Sequence, residues 1–221
     1  MRRVTLLVLI LSALWSPLAA QSVPSPYRFL EKVQTLSLQA GYISTQTGSR
    51  DLGPRSAPIV TLEYLGRFAG PLSGTVALSY LPSERTVYEF ATASGLTPLG
   101  DVDAKLLQAN AGLEFTLTGA RTWHSLAPFV GANGGLIMDL AGVSKIEKDA
   151  ELTEEQRIEF GPSFAVGASL GADWFLNERL SIRAVGRGHL WRFQTPAGLA
   201  GTERNDWLKN GGGTLGLAFH F

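Results

Sequence analysis

The last eight residues, Thr214 to Phe221, alternate strictly. Leu215, Leu217, Phe219 and Phe221 are apolar, and Thr214, Gly216, Ala218 and His220 between them are small or polar. A period of two is the mark of a β-strand with one apolar face, because successive side chains of a strand point to opposite sides. The sequence also stops on an aromatic residue of that face. A strand that closes a membrane barrel and touches lipid has a use for such a residue, and a soluble domain has little.

The same period recurs along the chain. Leu36, Leu38, Ala40 and Tyr42 form one apolar face, and Val60, Leu62, Tyr64, Gly66 and Phe68 the next. Val76, Leu78 and Tyr80 follow, then the run Leu107, Ala109, Ala111, Leu113, Phe115 and Leu117. A fifth segment alternates from Leu126 to Met138, with Phe129 and Ile137 out of phase. A sixth runs from Phe160 to Trp174 and a seventh from Leu180 to Leu190. No apolar-face position is charged, and the opposite faces are Gly, Ser, Thr, Asn and Gln with a few charges. A soluble sandwich puts long charged residues outward. Small polar residues suit a crowded, hydrated interior with lipid outside.

The connections support this. Their spans are Ser44 to Ala57, Ala69 to Gly74, Leu81 to Asp103, Thr118 to Ser125, Asp139 to Ile158, Phe175 to Arg179 and Gln194 to Trp207. They alternate long and short, as the outer loops and periplasmic turns of a transmembrane barrel do. The expected fold is therefore all-β, a closed antiparallel eight-stranded transmembrane barrel over residues 33–221. Both ends of an even-stranded barrel lie on the periplasmic side.

Arg2 and Arg3, the apolar run Val4 to Leu14, Pro17 and Ala19-Ala20 have the layout of a signal peptide, with cleavage expected after Ala20. Residues 21–32 are a short lead-in with room for one helical turn. The chain carries 19 basic and 19 acidic residues and no Cys. Charge balance argues against a nucleic-acid partner. The absence of Cys excludes disulfides and thiolate metal sites.

At Gly167 to Arg187, GASLGADWFLNERLSIRAVGR, and at the closing Gly216 to Phe221, GLAFHF, the chain resembles the small outer-membrane β-barrels of the OmpA/OmpX-like class. The resemblance implies an outer-membrane location and outer-membrane lipid as surroundings. It also implies that Phe219 and Phe221 act as an assembly signal for the barrel-insertion machinery, with periplasmic chaperones as earlier partners. It implies no activity.

The expected role is non-enzymatic: a structural or surface-interaction part of the envelope, with no cofactor and no extracellular partner that the residues identify. The alternatives are a narrow pore, a small-ligand barrel and a lipid-modifying enzyme. An enzyme of that kind needs His, Ser and an acid together on the lipid side, and the apolar faces hold no His or acid. His124, His189 and His220 have no metal-ligand spacing. Charges on the inward faces predict a lumen ion network of Glu63, Arg67, Glu114, Asp173, Arg183 and Arg187. A hairpin centred on Glu178 sets Asp173 opposite Arg183. Charges left unpaired in so narrow a space are costly, and replacing both partners can be nearly neutral, so Asp173→Ala is expected to destabilise more than the double change with Arg183→Leu. Trp191, Phe193 and Trp207 read as an aromatic girdle or hairpin extension, and Asp149 to Arg157 as a solvated loop.

Overall fold

The structure is a computed structural model describing residues 26–47, 52–91, 95–153, 157, 161–195 and 204–221. The expected signal peptide and the tips of several connections lie outside these residues. Among the described residues ten strands follow in chain order: β1 Tyr27–Phe29, β2 Gln34–Thr45, β3 Ala57–Ala69, β4 Leu72–Ala91, β5 Gly95–Thr116, β6 Arg121–Trp123, β7 Leu126–Asp139, β8 Ser163–Phe175, β9 Leu180–Thr195 and β10 Arg204–His220. The eight long strands pair antiparallel with their neighbours, and β10 returns to β2, so the sheet closes. Closure leaves those strands no free edge. At the seam the N–H of Gln34 donates to the carbonyl of Phe221, and the N–H of Phe221 donates back.

The alternation dictates which way each strand faces. Leu36, Leu38, Leu62, Val76, Leu78, Leu113, Phe115, Leu170, Leu215 and Leu217 are exposed on the outside. Ser37, Gln39, Thr61, Ser79, Gln108 and Thr214, on the other parity, are buried inside. Phe129 and Ile137, out of phase in the sequence, are also interior.

Two expectations are corrected. The described part of the lead-in, residues 26–32, forms no helical turn: Tyr27–Phe29 is a strand on β6, held by Leu30 N–H to Ala120 O and His124 N–H to Pro26 O. The span Leu81 to Asp103 is not a loop along its length, because β4 and β5 continue through it as a paired hairpin up to Ala91 and Gly95. The chain there stays β while its apolar phase moves to the other face. Leu81, Ser83, Arg85 and Val87 point inward and are buried, while Pro82 and Glu84 are exposed.

Candidate functional site in the barrel lumen

That change of phase occurs once on every long strand. Outward Tyr42, Val60, Tyr80, Leu107, Leu136, Phe164, Leu190 and Trp207 each adjoin an inward apolar residue in sequence. The inward partners are Ile43, Ile59, Leu81, Leu106, Ile137, Ala165, Trp191 and Leu208, and they form one buried cluster with Leu52 and Phe193. Each long strand thus contributes at least one member to an apolar plug across the barrel, and β9 contributes two, Trp191 and Phe193. Below it the outside faces lipid and the inside is polar. Above it the outside faces water and the inside holds apolar residues such as Val87 and Ala104 together with the buried Arg85 and Glu147. Trp191, 0% exposed, and Phe193 belong to this plug and to no girdle, while Trp207 stays outside; all three lie on the extended β9–β10 hairpin, the other of the two expectations for them. The signal was present in the sequence as an apolar doublet per strand, but a doublet reads as a break in a period of two.

Beneath the plug the lumen is polar. Arg183 is 1% exposed and gathers three carboxylates from three strands. Its Nε lies 3.0 Å from Glu63 Oε1 and its Nη1 2.6 Å from Asp173 Oδ2, and its Nη2 donates to Glu114. The Phe129 ring centroid lies 4.0 Å from its guanidinium carbon, a cation–π contact. Gly171 leaves room for that ring, since a Cβ there would stand 2.6 Å from it. Arg187 donates to the second oxygen of Glu63 at 2.9 Å and to Thr214 at 2.7 Å. Five of the six predicted lumen charges therefore meet. Arg67 does not join them. It shares a row with Glu114 through Ser73, but its Nη1 donates to the Leu30 carbonyl at 2.8 Å.

The three His are separate. His124 sits in the two-residue turn between β6 and β7. His189 lies 3.3 Å from Gln108 Nε2. His220 lies 2.8 Å from Ser181 Oγ through Nε2 and 2.9 Å from Thr35 Oγ1 through Nδ1, and its ring stacks on Phe175. Ser181 and His220 thus have the spacing of a nucleophile and base. The acid, Asp173, sits on the Ser hydroxyl at 3.4 Å, not on the far His nitrogen where a triad needs it. Ser181 is also fully buried.

The periplasmic mouth is crossed by the chain itself. In the closed order β2 and β7 are four strands apart in either direction, so they stand on opposite walls. Strand β1 pairs with β6, which leads directly into β7, and four residues later the chain begins β2. Residues 30–33 must therefore span the mouth. They close from below a vestibule with an empty volume of about 1040 Å³, including open solvent at its rim. Arg67, Glu114, Asp173, Arg183 and His220 line it from above. A second, smaller space holds Asn110, Asn133, Ser169 and His189, and Glu114 and Arg183 form the wall shared with the vestibule.

The outer end has a separate closure. A five-residue helix, α1 (Lys145–Asp149), is started by a capping box between Ser144 and Glu147. Glu147 is buried and accepts from Arg85, which points inward on β4, at 2.8 Å. Arg85 also lies 4.0 Å from Asp139. Burial alone pushes the Glu147 carboxyl up. Hydrogen bonds from Ser144 and the Arg85 guanidinium outweigh it and hold the group below its ordinary value of 4.5. Part of the stretch read as a solvated charged loop, Asp149 to Arg157, lies outside the described residues; Leu152 within it is buried.

The fold has solved counterparts. Neisserial surface protein A aligns with a TM-score of 0.55 and 14% identity, over 85% of this chain and 97% of that one. The outer membrane protein OprG from Pseudomonas aeruginosa aligns with a TM-score of 0.54 and 16% identity, over 86% and 97%. Neither a protein-family model nor a curated protein sequence matches the chain. What is shared is the architecture of the small eight-stranded outer-membrane β-barrels.

Proposed function

From that architecture we propose that the protein is an integral outer-membrane barrel with a plugged lumen, non-enzymatic, serving the envelope structurally or through its outer surface. Outer-membrane lipid is its surroundings, and the barrel-insertion machinery and periplasmic chaperones are its partners during assembly. The observation that carries the reading is the obstructed interior. The apolar plug, at least one residue from each long strand, seals the outer half, and the Arg183 cluster crosses the inner half between its two spaces. Eight strands leave an interior just wide enough for side chains, and apolar constrictions exclude water and ions. The test is single-channel recording in planar bilayers. The expected trace has no conductance steps; steady, reproducible steps would favour the pore reading.

A second reading, a small-ligand barrel, is favoured by one feature only, the vestibule behind residues 30–33. It would admit ligand from the periplasmic side. The enzyme reading draws on the Ser181–His220 contact. It predicts labelling of Ser181 by a fluorophosphonate. The misplaced acid and the burial of Ser181 argue that none will occur, and labelling lost in Ser181→Ala would reverse this.

A further inference from the structure

Strands β1 and β6 lie outside the eight of the barrel, yet their outer face continues its lipid belt. Directly paired residues of antiparallel strands share a face. Trp123 pairs with Leu126, and Leu126 pairs with Trp174. Trp174 pairs with Ile182, Ile182 with Leu217, and Leu217 with Leu38. In the other direction Trp123 pairs with Tyr27. One outward row thus runs from the apolar belt to Tyr27 without a break in parity. Phe29, two residues on, shares the face and carries the Arg121 guanidinium 4.4 Å from its ring centroid. Tyr27, Phe29 and Trp123 are 49%, 64% and 49% exposed. On the inward face Thr122 is buried, and Arg28 reaches across to an ion pair with Glu178.

The geometry behind this row is costly. The β6–β7 turn has two central residues, His124 at φ 48° and Ser125 at φ 63°. Two-residue hairpin turns of this kind favour Gly or Asn there, because most side chains are strained at positive φ. The strain is held by hydrogen bonds from His124 N–H to Pro26 O and from Phe175 N–H to Ser125 O. It places Trp123 back on the wall in register with Leu126.

Resting on the reading of the chain as a membrane barrel, we propose that Tyr27, Phe29, Trp123 and Arg121 form a foot that sits in the phospholipid headgroup layer of the periplasmic leaflet. Tyr and Trp rings, apolar with one polar edge, prefer that depth, Phe29 adds apolar surface beside them, and Arg121 is placed for lipid phosphate. The membrane would then hold β1, and through it the segment below the vestibule, against the barrel. The continuous row selects lipid over other occupants, since nothing interrupts it between the belt and Tyr27.

The absence of native Cys makes single-cysteine probes clean. Spin labels at Phe29→Cys and, separately, Tyr27→Cys are compared in phospholipid vesicles with Leu217→Cys in the belt and Lys148→Cys on the outer loop. The readout is accessibility to oxygen relative to a water-soluble nickel complex. The foot predicts ratios at 29 and 27 severalfold above that at 148 and below that at 217, unchanged when the protein is diluted in lipid. Ratios at both sites equal to that at 148, with 217 still belt-like, overturn the foot and leave the membrane reading intact. A 217 label as water-exposed as 148 overturns the membrane reading itself. Ratios at 27 and 29 that fall to the 148 value on dilution assign the face to a second copy of the chain and also overturn the foot.

Discussion

Asp173 and Arg183 face each other across the β8–β9 hairpin, with Oδ2 of one 2.6 Å from Nη1 of the other. The pair is not isolated, because Arg183 also holds Glu63 and Glu114. This reverses the ordering expected from two residues alone. Asp173→Ala leaves Arg183 two carboxylates. Arg183→Leu leaves three carboxylates in a narrow lumen, and breaking a buried pair typically costs about 3–5 kcal/mol. The Asp173→Ala/Arg183→Leu double variant should therefore be less stable than Asp173→Ala. Adding Glu114→Gln should recover part of the loss. Unfolding free energies in lipid or detergent decide the order, and a double variant milder than Asp173→Ala would restore the isolated pair.

Leu106 and Leu113 lie on one strand seven residues apart, with opposite fates. Leu113 is exposed to the belt and Leu106 is buried in the plug. Leu106→Ala should leave a cavity and cost about 2–5 kcal/mol. Leu113→Ala should cost well under that, since lipid closes over the gap. Leu113→Arg should cost about 2–4 kcal/mol near the midplane. Equal losses for the two alanine variants in equilibrium unfolding would contradict the assignment of faces.

Glu147 makes the outer closure pH-dependent. Its folded pKa is depressed, so its stabilisation is present above the ordinary value of 4.5 and is lost as pH falls through the lower folded value. Protonation removes the negative charge that faces Arg85 and turns one of the two oxygens, which accept from Arg85 and from the Ser144 N–H, into a hydroxyl. Proteolysis of the β7–β8 connection should therefore accelerate on acidification in this range, while the barrel stays folded. Glu147→Gln should be cleaved faster at neutral pH and respond less to acid. An unchanged cleavage rate from neutral pH to well below 4.5 would separate α1 from this carboxylate.

Phe221 has two attributes that a substitution can separate. Its backbone makes both seam hydrogen bonds with Gln34, and its ring stacks on Phe219 outside the barrel, centroids 6.0 Å apart. Deleting the residue removes both attributes. Phe221→Ala keeps the seam. If the ring is the assembly signal, Phe221→Ala should slow arrival in the outer membrane of cells while changing the unfolding free energy of the purified barrel little. Normal assembly of Phe221→Ala together with poor assembly of the deletion would assign the effect to the seam.

Much of the fold was legible in the sequence because a strand between lipid and a polar lumen has two unlike faces, and alternation records them. Leu36, Leu38 and Leu217 against Ser37, Gln39 and Thr214 needed no coordinates. The Asp173–Arg183 register was legible too, because a tight hairpin fixes which residues pair. Other features depended on strands far apart in the chain. That Arg183 would hold Glu63 and Glu114, and that Arg67 would turn to Leu30, depended on closure bringing β3, β5 and β9 round one lumen. The strand at Tyr27–Phe29 was hidden because its partner lies more than ninety residues away. The plug was hidden for a different reason. Ile43, Leu81, Leu106 and Trp191 each follow or precede an outward apolar residue, and a local reading takes such a doublet as the end of a strand. Only the closed barrel, with lipid around its lower part and water around its upper part, makes the doublet the place where inside and outside exchange polarity.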